Sequence, residues 1–207
     1  MKLLNTAIAL GIGAATAAGL SLLKINKDLV IGSTAVVIGA GLMIAFKEKN
    51  DLNTKAIDYE YFFNRAQDKF ELADYEEAII DYNKALELSP TEICLVYSMR
   101  GNAKRNLGDF DGAISDQNKA LNFDPFYADA YFNRSSAKFQ KGDFDGAIED
   151  YSQVIILNPK DSDAFFNRAN VKKEVGDIQG ACEDWRKAAD LGDEEATDSL
   201  KRFCNND

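Results

Sequence analysis

An all-α stack of helix pairs, preceded by two apolar segments, is what this chain predicts, and three observations predict it. The string Gly-Asp-Phe-Asp-Gly-Ala-Ile at residues 108–114 returns unchanged at 142–148, 34 residues later. Looser copies, Ala-Asp-Tyr-Glu-Glu-Ala-Ile and Gly-Asp-Ile-Gln-Gly-Ala-Cys, stand at 73–79 and 176–182. Self-similarity at this period marks a helical array in which no unit buries its apolar face alone. Finally, residues 3–23 and 29–46 carry no charged side chain at all.

From the amino terminus, Lys2 and Lys24 bracket the first apolar run, and Asp28 and Lys47 the second. At ~1.5 Å per residue each run can nearly or fully cross a ~30 Å hydrocarbon core. The expectation is a transmembrane hairpin (3–23 and 29–46) turning at Lys24–Asp28. Ala7, Gly11, Ala15 and Gly19 on the first helix, with Ala35 and Gly39 on the second, would allow close packing in lipid. Two other readings stay open. Met1-Lys2 followed by the apolar run and Ala15-Thr16-Ala17 has the form of a cleavable signal peptide with the second run as anchor, and the Gly/Ala-rich runs could pair as soluble helices. Lys2, Lys47, Lys49 and Lys55 outnumber Lys24 and Lys27 of the turn, so the positive-inside rule places the repeats on the cytoplasmic side of a membrane. A linker at 47–58 leads into the array.

Each repeat then builds two helices. Small residues recur in the first (Ala66, Gly101, Ser135, Ala169) and twice in the second (Ala78, Ala113, Ala147, Ala181; Ala85, Ala120, Val154, Ala188). They let two backbones approach. Phe62, Tyr97, Tyr131 and Phe165 in the first helix, with Tyr82, Tyr151 and Trp185 in the second, fill the space around them. Gly108, Gly142 and Gly176 suit the left-handed ending of the first helix; Ala73 in the first copy predicts a strained or differently shaped turn. Pro90, Pro125 and Pro159 stop the second helix. Residues 194–204 read as a capping helix, with Ala196, Leu200 and Phe203 on one face and its acids at the start.

Phe62/Ala66/Ala78/Tyr82/Ala85/Pro90 and Tyr131/Ser135/Ala147/Tyr151/Val154/Pro159 resemble the tetratricopeptide repeat (TPR), in register at 59–92, 94–127, 128–161 and 162–195. Departures are Asp193 in place of a last proline, and Lys69, Lys104, Lys138 and Lys172 where many members carry tyrosine. The resemblance implies a right-handed α-solenoid of four TPR helix pairs plus a cap, whose inner surface comes mainly from the first helix of each pair. It places Phe63, Asn64 and Gln67, then Leu95, Ser98, Asn102 and Arg105, in a groove for an extended peptide. Asp129, Phe132, Asn133, Ser136 and Phe139 follow, then Asp163, Phe166, Asn167, Asn170 and Lys173. Asparagine amides both donate and accept, as a peptide backbone requires, and phenylalanines offer apolar pockets. Core packing between repeats is the competing role for these phenylalanines. Phe132 and Phe166 are the stronger groove candidates, because Tyr131 and Phe165 beside them would fill the core. Arg65, Arg100, Arg134 and Arg168, at one repeat position, are expected to bridge acids on adjacent helices.

One TPR subclass holds chaperone carboxyl termini in a clamp of lysines, an arginine and asparagines. Here Phe63 or Ser98 replaces the first lysine, Asp129 or Asp163 the next, and Asn133 or Asn167 the arginine. No such clamp is expected. Micromolar binding of an acidic carboxyl-terminal peptide would overturn that.

Composition narrows the function further. From residue 56 onward 18 basic residues face 31 acidic ones, a net −13, which repels nucleic acid and anionic lipid alike. The chain has no histidine, so the commonest general base and metal ligand are missing. No phosphate-cradling loop or nucleophile elbow occurs, and Asp-x-Asp-Gly at 109–112 and 143–146 lacks the other ligands of a calcium loop. The three cysteines, Cys94, Cys182 and Cys204, are odd in number and widely spaced, and read as small buried hydrophobes in a reducing compartment. The expectation is a membrane-anchored scaffold without catalysis or cofactor. It binds an extended, neutral-to-basic segment of another protein and serves the assembly of membrane complexes. The alternative is a structural protein that clusters as a homo-oligomer through its hairpin.

Overall fold

A computed structural model describes residues 58–88 and 93–204; the predicted hairpin, most of the linker and Pro90 lie outside them. The described residues form nine helices and no strand. They are α1 (58–71), α2 (Tyr75–Glu87), α3 (Ile93–Asn106), α4 (Phe110–Phe123), α5 (Ala128–Lys141), α6 (Phe144–Leu157), α7 (Ser162–Glu174), α8 (Ile178–Asp190) and α9 (Glu194–Phe203). Each odd-numbered helix from α3 to α7 packs on its successor and its predecessor, α9 closes on α8, and α3 also touches α5. No helix among the described residues is long and apolar enough to cross a membrane.

The small residues sit where the helices come closest. Ala66, Ala78, Ala85, Ala120, Ala147, Ala169, Ala181 and Ala188 are inaccessible, and Tyr82, Tyr151 and Trp185 are buried among them. The turns repeat with equal regularity. Gly108, Gly142 and Gly176 take positive φ, and the next amide, from Asp109, Asp143 or Asp177, donates back to a lysine carbonyl five residues earlier at 2.9 Å. Ala73 adopts the same left-handed conformation (φ 61°) and Asp74 N–H makes the same 2.9 Å bond to the Lys69 carbonyl. The first turn is therefore strained but not differently shaped. The Asp-x-Asp-Gly strings are helix caps: the Asp109 and Asp143 carboxylates accept from Gly112 and Gly146 N–H at 2.9 and 3.1 Å. Asp193, standing where a proline was missing, caps α9 through Ala196 N–H at 2.8 Å.

The cysteine expectation needs correction. Cys182 and Cys204 form a disulfide, with Cα atoms 5.9 Å apart, that ties α8 to the end of the capping helix; Cys94 is free and half-buried. Wide sequence spacing misled, because α9 folds back on α8 and brings together residues 22 apart.

Candidate functional site

Two side-chain systems repeat through the array, one on each flank of the odd-numbered helices. The first is ionic. Arg65, Arg100, Arg134 and Arg168 each grip an aspartate of the following helix through two bonds, Nε and Nη2 to the two carboxylate oxygens of Asp81, Asp116, Asp150 and Asp184, at 2.6–2.8 Å. Lys69, Lys104, Lys138 and Lys172 reach the same carboxylates at 2.8–2.9 Å. The third arginine nitrogen ties the preceding repeat: Arg100 to Asn83, Arg134 to Asn118, Arg168 to Ser152. Arg65 has no such helix before it among the described residues, and its Nη1 donates to Tyr61 instead.

The arginines bridge acids on adjacent helices, as the repeat position implied; the lysine partners and the aspartates themselves were not foreseen. Hydrogen bonds from Arg65, against the opposing cost of burial, and then from Lys69 hold the Asp81 carboxyl below its usual range. At Asp116 burial pushes upward, but the bonds from Arg100 and Lys104 outweigh it and the net shift is again downward. The guanidinium groups also lie over Phe62, Tyr97, Tyr131 and Phe165 at 5.2–5.7 Å from the ring centroids. A cavity of about 380 Å³ lined by Phe165, Arg168, Glu183, Asp184, Arg186, Lys187 and Asp190 belongs to this ionic system.

The second system lies along the residues assigned to the groove. Phe63 packs against Tyr82 (centroids 6.1 Å) and Phe132 against Tyr151 (5.4 Å, edge-on), while Phe166 joins the cluster around Trp185. All three are half-buried. Phe132 and Phe166 thus help to close each pair, while Tyr131 and Phe165 pack against the core clusters with the arginines over their rings, and Phe132 also lines the recess between α3 and α5. Phe139 packs on Phe144 at 5.7 Å. Ser136 Oγ donates to the Phe132 carbonyl and meets the Tyr151 hydroxyl at 3.0 Å.

The amides differ from one another. Asn64 is exposed, Gln67 and Asn170 are half-buried, and Asn167 spends its Nδ2 on the Asp163 carbonyl of its own helix at 2.8 Å. Asn133 Nδ2 instead crosses between repeats to Ser98 Oγ at 3.1 Å. The Asn102 side-chain oxygen and Arg105 Nε are buried without a hydrogen-bond partner. Asn102, Phe132 and Asn133 come together with Leu95, Ser98, Met99, Tyr127 and Asp129 around a cavity of about 240 Å³ between α3 and α5. Among the described residues no group of three or more His, Cys, Asp or Glu is placed to hold a metal ion.

Tetratricopeptide-repeat models match residues 59–92 and 96–127, and a TPR-repeat model matches 136–176. A crystal structure of MamA is similar over 78% of this chain and 99% of its own, at 20% identity and TM-score 0.62. A tetratricopeptide-repeat protein from Parabacteroides merdae covers 73% of this chain and 62% of itself, at 19% identity and TM-score 0.63. The first TPR domain of Spaghetti (RPAP3), bound to the HSP90 peptide SRMEEVD, covers 55% of this chain and 92% of its own, at 26% identity and TM-score 0.52. Among curated proteins none matches. The chain carries tetratricopeptide repeats, and domains built from them bind other proteins, extended peptides included.

Proposed function

We propose that this protein is a membrane-anchored scaffold that holds an extended segment of a partner protein across α1, α3, α5 and α7, in the service of membrane-complex assembly. The observation that carries the reading is the cavity between α3 and α5, where Asn102, Phe132 and Asn133 converge. A preformed recess with amides and aromatic walls suits a peptide, whose backbone needs donors and acceptors together. The peptide-bound RPAP3 domain supports this mode of binding. Its ligand is acidic, however, and this chain places Asp129 and Asp163 where a clamp for such a ligand needs lysine.

In this reading residues 3–46 supply the anchor. The Cys182–Cys204 bond bears on which side the repeats occupy. Disulfides persist in oxidising surroundings, which favours the face away from a reducing cytoplasm over the side that the lysine bias of the hairpin suggests.

The test is site-specific photocrosslinking in membranes that contain the full-length protein. A photoreactive residue at Asn64, Asn102 or Asn133 is expected to trap a shared partner, whereas one at Ser115 or Glu149, exposed on α4 and α6, is not. Equal trapping at all five positions, or none at the groove positions, overturns the reading.

A further inference from the structure

Repeat 2 departs from the other three at two facing positions. Where Phe63, Phe132 and Phe166 each back onto a large aromatic residue of the next helix, α3 has Ser98 and α4 has Gln117. Gln117 is buried and its Nε2 donates to the Ser98 carbonyl at 3.0 Å, leaving its own Oε1 without a partner. Gly101 makes this possible: a Cβ there would lie 2.6 Å from Gln117 Nε2. The missing phenylalanine ring leaves the 240 Å³ recess open at the centre of the array.

The recess has a definite electrostatic character. Its single charged residue is Asp129, which lies exposed at its mouth, and no basic residue lines it. Burial, followed by the Asp129 charge, pushes the Tyr127 hydroxyl up to about 12, so it stays neutral beside the carboxylate. Phe132 and Tyr127 add ring surfaces, and Leu95 and Met99 add apolar lining. An aromatic wall next to a carboxylate attracts a cation, most of all a planar guanidinium that can stack and donate in several directions.

We infer that the recess between α3 and α5 is a side-chain pocket for an arginine, and less strongly a lysine, of the bound segment. The cation pairs with Asp129 and stacks on the Phe132 and Tyr127 rings. This rests on the groove reading above and makes it specific: one position of the partner is cationic, and the partner's other positions lie over the phenylalanine walls of repeats 1, 3 and 4.

The experiment uses the purified full-length protein and fluorescent peptide pools, randomised except for one central residue fixed as Arg, Lys, Gln or Glu, read by anisotropy. Wild type is expected to prefer the Arg pool to the Gln pool by about tenfold, the worth of one charge-assisted hydrogen bond. Asp129→Asn should bring that ratio to about one, and Asp129→Lys should turn the preference toward the Glu pool. Because Asp129 is exposed, both variants keep the helical circular dichroism of the parent. If wild type binds all pools alike, or Asp129→Asn leaves the Arg preference intact, the cation pocket is refuted while the groove reading survives. If wild type binds none of the pools, both fall.

Discussion

Replacing Asp116 with asparagine removes one charge from the interior and leaves Arg100 and Lys104, with the more exposed Lys119 at 3.8 Å, without their counter-ion. In the native protein the Asp116 carboxylate is wholly buried, held by Arg100 at 2.6 and 2.8 Å and by Lys104 at 2.8 Å. Arg100 and Lys104 are themselves only 12% and 21% exposed. Breaking a buried ion pair from one side costs about 3–5 kcal/mol, because the remaining charge is stranded. Both cations have flexible stems and some access to water, which places the expected loss near the lower end, about 3 kcal/mol. For an array of about 150 residues that corresponds to a melting midpoint lower by roughly 6–12 °C. The assay is thermal denaturation followed at 222 nm, beside Glu149→Gln, an exposed acid whose removal should change stability by no more than about 0.5 kcal/mol. Since repeats in a linear array couple mainly to their neighbours, the transition should also broaden as repeat 2 loosens first. A midpoint within about 2 °C of the control, no more than the shift that about 1 kcal/mol produces, would show that the ionic lattice is not what joins the helix pairs.

Three further outcomes follow from the same geometry. Ala73→Gly should raise stability by about 1 kcal/mol, because alanine occupies a left-handed conformation that costs an L-residue about that much; a lowered melting midpoint would contradict the strain. Reducing the Cys182–Cys204 bond, which closes a loop of 22 residues, should cost about 3 kcal/mol and speed hydrogen exchange mainly in α9; three reactive thiols per unreduced chain would refute the bond. Asp81 and Asp116 have folded pKa values below those of the unfolded chain, so the unfolded state binds more protons as acid is added. Their stabilisation is therefore complete above the unfolded carboxylate pKa of about 3.9 and drains away as pH falls below it toward the folded values. Urea midpoints should stay level from pH 7 to pH 5 and then drop, less steeply in Asp116→Asn; an equally steep acid drop in that variant would count against this assignment.

What the sequence made legible was the part of the structure that must be the same in every repeat. Ala78, Ala113, Ala147 and Ala181 cannot be larger without parting two backbones, so size alone marks them, and the left-handed turns announce themselves through Gly108, Gly142 and Gly176. The arginines were visible as a recurring position, but their carboxylate partners were lost among 31 acids of the repeat region. A signal was there: Asp81, Asp116, Asp150 and Asp184 keep phase with the arginines, always 16 residues on, and with lysines four residues after each arginine. Keeping phase marks an acid with a structural duty, an ion pair here and a helix cap at Asp109, Asp143 and Asp177, since a merely solvated charge has no reason to hold register. The disulfide had no such signal, because it joins the last repeat to a helix outside the period.

The same logic explains why the recess at Ser98 is the place where this array is individual. Periodic residues serve packing, and every repeat must satisfy the same contacts with its neighbours. A position that breaks the period without breaking the fold is free of that demand only if a second change compensates. Ser98 loses a ring, Gln117 replaces the aromatic partner, and Gly101 gives up its side chain to admit the amide, so three substitutions in one repeat conserve closure of the core while opening the groove side. Restoring the period at Ser98 alone, as Ser98→Phe, would drive a ring against Gln117 and confuse loss of the pocket with loss of the fold. Asp129, outside that compensating set and exposed, is where recognition can be perturbed without disturbing the packing, and it is the residue on which the cation pocket stands or falls.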